Sequence, residues 1–296
     1  MTRTTSVPTQ RLLRGIAASV TATITDAAGD PAAGLTVTVT IARADGTSLY
    51  TDTATTGNGD GTYSKALTAT ELANLDVLTC TWKVSTVARA TTVHEIQGGY
   101  YFTAGDLAIA EQGRAGSIDA DTLIVLRDEV ETEVERICGA AFVPRYRRVR
   151  LDGTGTTRLL APDPLPRTVR SVRVYSDATT YTSFTAAEVA ALELHDHGLI
   201  ERRDHNVFPA GAQNILVEYE HGHDRPPADL RRAVLRRARS RALMATSGIP
   251  DRALSFTAEN GQTFRLATPD AWSTGDPEVD AVYDRHAVRA ARLGIA

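Results

Sequence analysis

Residues 119–139 read DADTLIVLRDEVETEVERICG and residues 226–244 read PPADLRRAVLRRARSRALM, and between them the chain changes to short alternating runs. In the first stretch Leu123, Leu126, Val130, Val134 and Ile137 recur at steps of three and four, which gathers them into one stripe of a 3.6-residue helix. Gly139, just after Cys138, is placed to end that helix in the left-handed conformation. Asp128, Glu129, Glu131, Glu133 and Glu135 occupy the other positions. Like charges four residues apart repel mildly, so this acidic face is tolerated in solvent and favoured by a basic neighbour.

The second stretch opens on Pro226-Pro227 with Asp229 in its first turn, a proline-led helix start. Leu230, Val234, Ala238 and Ala242 form an apolar row, while Arg232, Arg236 and Arg239 share another face. Such a face is either a solvated one, with arginine stems lying over apolar neighbours, or a basic surface that meets the acidic helix within one subunit or between subunits. Between the helices, Tyr146 to Leu151, Arg158 to Ala161, Thr168 to Tyr175 and Asn214 to Tyr219 alternate apolar and polar residues as strands do. Gly153-Thr154-Gly155 and Pro162-Asp163-Pro164-Leu165-Pro166 punctuate them as turns.

The order of these features resembles the head-to-tail connector (adaptor) proteins of long-tailed bacteriophages. The residues that carry the resemblance are Glu135-Arg136-Ile137-Cys138-Gly139 with Phe142 soon after, and the Pro164-Leu165-Pro166 turn into Val169-Arg170-Ser171-Val172. To these are added Val217-Glu218-Tyr219 followed by Gly222, and Pro226-Pro227 with Asp229-Leu230 opening the arginine-rich helix. It covers somewhat under half the chain. The resemblance implies a helical bundle with an inserted β-element and a dodecameric ring of copies. It also implies contacts to a portal protein above and to the next neck (stopper) or tail protein below, with double-stranded DNA in passage. The place of action it implies is the virion neck, after assembly in a host cytoplasm.

The N-terminal part reads as a separate domain. Val20, Ala22 and Ile24 alternate with threonines, as do Leu35, Val37, Val39 and Ile41, and Leu78, Cys80, Trp82 and Val84 repeat the pattern. Turn clusters at Asp45-Gly46 and Gly57-Asn58-Gly59-Asp60-Gly61 space these runs as in an immunoglobulin-like β-sandwich. The fold expected is therefore multidomain: a tail over 1–14, an all-β immunoglobulin-like sandwich over 15–102 and a linker over 103–117. An α+β connector domain follows over 118–248, then a C-terminal tail over 249–296. In that tail Asn260-Gly261 between Phe256 and Phe264 signals a two-residue hairpin, and a short helix is expected from Asp276-Pro277-Glu278 to Leu293. With few apolar residues of its own, the tail is expected to dock on something, in the subunit or on a partner, and to be poorly ordered in the free subunit.

A net charge of −4 over 296 residues argues against a dedicated nucleic-acid binder. Cys80 and Cys138 fall in different expected domains and imply no disulfide framework. Leu12-Leu13 is broken at once by Arg14-Gly15, so no signal-peptide core is read, and no apolar run approaches membrane-span length. The histidines at 195, 197, 205, 221 and 223, with Asp196 and Asp224, are the residue types that bind metals, but histidines in loops are usually just solvated. None of the hydrolase, metalloprotease, phosphate-loop or dinucleotide motifs is present. No catalytic residue, metal site or cofactor is assigned. Two functions remain: a head-to-tail connector, and a ligand- or surface-binding module presented by the sandwich. For the connector, Glu129, Glu131 and Glu135 are expected to meet Arg232, Arg236 and Arg239 across the boundary between neighbouring subunits.

Overall fold

Threonine–apolar alternation becomes sheet because each strand sends successive side chains to opposite faces, leaving one face to bury. The computed structural model describes residues 10–103, 105–107, 120–246, 255–257, 263–265 and 273–288. Its first strands are β1 (Gln10–Leu13), β2 (Ala18–Thr23), β3 (Val37–Ala42), β4 (Ser48–Ala54), β5 (Thr56–Gly57), β6 (Thr62–Leu67), β7 (Asp76–Val84) and β8 (Val87–Gln97). They form a five-stranded sheet in the order β1-β8-β7-β3-β4 and a three-stranded sheet in the order β2-β6-β5. Val20, Ile24, Val39, Ile41, Leu78 and Trp82 from both sheets enclose one core. Gln10–Leu13, assigned to a tail by the sequence, is a strand that pairs in parallel with β8, Leu12 opposite Ile96. The tail reading fails because a four-residue edge strand with two arginine neighbours shows no alternation over enough length to be read.

The helical unit is built from α1 (Ala120–Cys138), α3 (Ala228–Thr246) and α4 (Pro277–His286). Val130, Val134, Leu230, Val234, Ala238, Val279 and Tyr283 pack into its core, joined by Tyr101, Phe102, Leu107 and Phe142. Tyr101 and Phe102, placed by sequence at the end of the sandwich, thus belong to the helical core. Gly139 has φ of +69° and its N–H reaches the Glu135 carbonyl at 2.9 Å, the expected cap.

Between α1 and α3 lies a second β unit made of β9 (Arg145–Gly153), β10 (Arg158–Leu160), β11 (Pro166–Tyr175), β12 (Tyr181–Ser183), α2 (Ala186–Ala190), β13 (Leu192–Leu194), β14 (Leu199–Arg202) and β15 (Gly211–His221). Its sheets have the orders β12-β11-β15-β9 and β10-β14-β13, all antiparallel. Leu159, Val172, Ile200, Phe208, Ile215, Val217 and Tyr219 close its core. Gly222, at φ of +92°, turns the chain out of β15, and a Cβ there would meet the Ala141 carbonyl at 3.0 Å.

The C-terminal region differs from expectation. β16 (Ser255–Thr257) and β17 (Thr263–Arg265) pair with Phe256 opposite Phe264 and Thr257 opposite Thr263, so the connection is longer than a two-residue turn. Asn260-Gly261 itself lies outside the described residues. The expected helix to Leu293 ends at His286. Asp276 caps it by accepting from the Glu278 N–H at 3.0 Å. Val279 and Tyr283 are fully buried against the other helices, and the Val288 N–H donates to the Cys138 carbonyl at 2.8 Å. This stretch therefore docks within its own chain: its two large apolar residues sit one turn apart on one face, which is enough to complete a core that α1 and α3 have begun. Of the two docking partners expected for the tail, residues 273–288 take the one within the subunit.

Candidate functional site

The densest chemistry lies where the sandwich, α1 and β9 meet. Residues 93–97 of β8 are all buried, although His94, Glu95 and Gln97 are polar. Such a strand is covered on both faces, and a buried carboxylate needs a partner. Arg145 at the start of β9 supplies it: its guanidinium joins Glu95 and, at 2.7 and 2.6 Å, both carboxylate oxygens of Glu135 on α1. From β1, Arg11 donates to Glu131 at 2.9 Å, to the Thr132 hydroxyl at 3.0 Å and to Glu135 at 3.2 Å. Glu131 also accepts from the Tyr101 N–H at 2.8 Å, and the Tyr101 hydroxyl donates to Glu135 at 3.0 Å. Beside them the Arg127 guanidinium lies 3.5 Å from the centre of the Tyr100 ring.

Electrostatics divides the two α1 carboxylates. Burial pushes Glu135 up, but Arg145 and Arg11 together outweigh it and hold the group below the usual glutamate range. Glu131 has no exposed surface and leans mainly on Arg11, so burial wins and its carboxyl is raised. The arrangement is a lock: the carboxylates of Glu95, Glu131 and Glu135 are each paired with a guanidinium of Arg11 or Arg145.

This placement takes Glu131 and Glu135 out of the expected boundary pairs. Glu131 and Glu135 are engaged inside their own chain because they lie on the flank of α1 that the sandwich covers. Glu129 meets Arg241 at 3.3 Å. Glu133, which had no assigned role, accepts from Arg237 at 2.8 Å and is also joined by Arg241. The acidic and arginine helices therefore do pair, within one chain, and through other arginines than those expected. Arg232, Arg236 and Arg239 all sit on the exposed side of α3. Arg236 reaches Asp276 at 2.9 Å and also Glu278, at the start of α4.

The histidines do not converge. His195 is 3.5 Å from Glu201, His197 and His205 are exposed, His221 is buried with its pKa lowered by desolvation, and His223 stacks on Phe142 with ring centres 5.2 Å apart. Among the described residues no group of three metal-ligating side chains is assembled. Cys80 and Cys138 are buried, and desolvation pushes each thiol up to about 12, so neither is a nucleophile at neutral pH.

Arg11, Glu95 and Arg145 were missed by sequence reasoning. The signal for Glu95 was the run Val93-His94-Glu95-Ile96, in which polar residues interrupt neither the strand nor its burial.

No family model matches the chain, and no curated protein matches it. Among solved structures, a chain from "Neck of empty GTA particle computed with C6 symmetry" is 16% identical, over 52% of this chain and 82% of that one, at a TM-score of 0.41. A chain from "Neck of native GTA particle computed with C12 symmetry" is 18% identical, over 54% and 88%, at 0.38. The filamin domain in "Crystal structure of the Lin-41 filamin domain" is 16% identical, over 32% of this chain and 90% of that one, at 0.26. Likenesses at these scores carry no argument about this chain. No helix among the described residues is long and apolar enough to cross a membrane.

Proposed function

We propose that the chain is a structural subunit of a phage-like head-to-tail junction: an adaptor between a portal ring and the next neck or tail protein, with a channel for double-stranded DNA. The observation that carries this reading is the order of elements. The two helices that bear the motifs, α1 and α3, pack into one core, and the strands between them in sequence, β9 to β15, close a core of their own. This order supports the bundle with an inserted β-element which the connector resemblance implies. A lock of buried charges supports a part that holds its shape rather than one that turns over substrate. In this reading the exposed arginines 232, 236 and 239 of α3 face a neighbouring copy in a ring of twelve, and the sandwich lies at the outer rim.

Electron microscopy of the purified chain, alone and mixed with a portal ring, tests the proposal. Rings with a central channel, or an added layer on the portal, are expected, and Arg236→Glu should weaken both. A chain that stays monomeric and leaves the portal bare would instead favour a binding module carried by the sandwich.

A further inference from the structure

β9 is the last strand of its sheet, so one of its edges has no neighbouring strand. Among the described residues, no backbone group of Tyr146 to Leu151 finds a backbone partner outside the β9–β15 ladder. That free edge borders an open cleft of about 960 Å³, walled by the sandwich at Ala44 and Val77, by the end of α1 at Arg136, and by the Pro162–Pro164 turn. An unpaired edge beside a cleft is a template for an added strand.

Charge selects the strand. Arg136, Arg145, Arg147, Arg148 and Arg150 line the cleft against Glu95, Glu135 and Asp163. The two glutamates are consumed by the lock, Arg148 is paired with Glu218 at 3.1 Å and donates to the Ala44 carbonyl, and Asp163 is shared between Arg147, at 3.5 Å, and the Tyr219 hydroxyl, at 2.5 Å. Arg136 is exposed. Arg150 touches no carboxylate; it lies over the Tyr175 ring at 3.8 Å and reaches the Gln213 carbonyl at 3.4 Å. A second copy of β9 would set arginine against arginine, which cross-strand pairing disfavours. A nucleic acid would match the charge but offers no ladder of amide donors and carbonyls. Along β9, Arg148 and Arg150 share one face, and Val149 and Leu151, which pack on the β-unit core, share the other.

We propose that the β9 edge binds an extended polypeptide segment as a fifth strand, one that alternates acidic residues, set against Arg150 and the exposed Arg136, with apolar residues set against Val149 and Leu151. This site is independent of the connector reading and stands or falls without it.

The test is fluorescence anisotropy of the full chain with a labelled, acetylated peptide that alternates Glu and Val and is as long as β9. Saturable binding is expected, at least about tenfold weaker when Gln replaces Glu or when the protein carries Arg136→Glu and Arg150→Glu. Two further peptides, N-methylated on one or the other set of alternate residues, read the ladder on the unaltered protein. Only the set whose N–H groups face β9 should abolish binding. No binding, equal effects of the two methylated sets, or equal affinity for a single-stranded oligonucleotide of the same charge would each overturn the proposal.

Discussion

Glu131 is a carboxylate with no exposed surface whose charge rests mainly on the Arg11 guanidinium, so its neighbours decide whether it stabilises or strains the fold. Removing one partner of a buried pair leaves the other desolvated and uncompensated, at a cost of about 3–5 kcal/mol. Glu131→Ala should show a loss of that size in urea unfolding. Glu131→Gln keeps an acceptor for the Tyr101 N–H and should lose clearly less. His94 offers a second test at this scale. It is 1% exposed, its Nε2 lies 2.9 Å from the Thr92 hydroxyl, and burial lowers its pKa to about 4 from 6.5. Its folded pKa is depressed, so the unfolded chain takes up a proton first as pH falls. Stability is whole above 6.5 and declines as pH falls toward 4. Denaturant midpoints measured across that window should fall for the natural chain and fall less for His94→Gln. Parallel curves would show that His94 contributes nothing to the slope.

Between elements, the arginines of α3 divide by face. At 100° per residue, Arg237 and Arg241 lie within about 20° of Leu230, on the apolar row, whereas Arg232, Arg236 and Arg239 lie opposite it. A cation on an apolar stripe must find an anion, and Arg237, 7% exposed, finds Glu133. Glu133→Ala should therefore cost about 3–5 kcal/mol. Arg236→Ala, which breaks a half-exposed pair, should cost no more than about 1 kcal/mol. Near-equal losses in thermal or urea unfolding would contradict this division. Asp276→Ala removes both the α4 cap and a partner of Arg236, and a loss of about 1 kcal/mol is expected. The partnered arginines were legible in principle, since their angular position alone marks them; the grouping of Arg232, Arg236 and Arg239 drew attention to the solvated face instead. The helix stripes and the long alternating strands were legible because burial enforces period. β12, β13 and β14 were not, since strands of three or four residues contain too few alternations to stand out. The lock was hidden for a further reason: Arg11, Glu95, Glu131 and Arg145 are brought together by tertiary packing across more than a hundred residues of sequence, and spacing carries no trace of it.

At the scale of the whole molecule, three cores meet at one guanidinium. Arg145 belongs to β9, Glu95 to the sandwich and Glu135 to α1, so the ion pairs that stabilise each unit also tie it to the others. Deleting the sandwich would take away Arg11 and Glu95, the partners of Glu131 and Arg145, and uncover the flank of α1 that they cover. A truncated chain that fails to assemble would therefore report on the lock before it reported on any ring contact. Single substitutions are the cleaner probe. Arg145→Ala should let the sandwich unfold separately from the helical unit, turning one calorimetric transition at neutral pH into two. Acid should do the same to the natural chain. The folded pKa of Glu135 is depressed below 4.5, so its contribution is complete above that value and is lost as pH falls through the lower folded one. Glu131 has the opposite sign: its folded pKa is raised, its ionised form costs stability, and its protonation on the way down returns some. The two offset each other until Glu135 itself takes a proton. The transitions should thus coincide at about pH 5 and separate only well below the ordinary glutamate range. Added salt should have little effect, because the pairs are buried from counterions. Separate transitions at neutral pH in the natural chain, or a single one in Arg145→Ala, would show that the units are joined by something other than this lock.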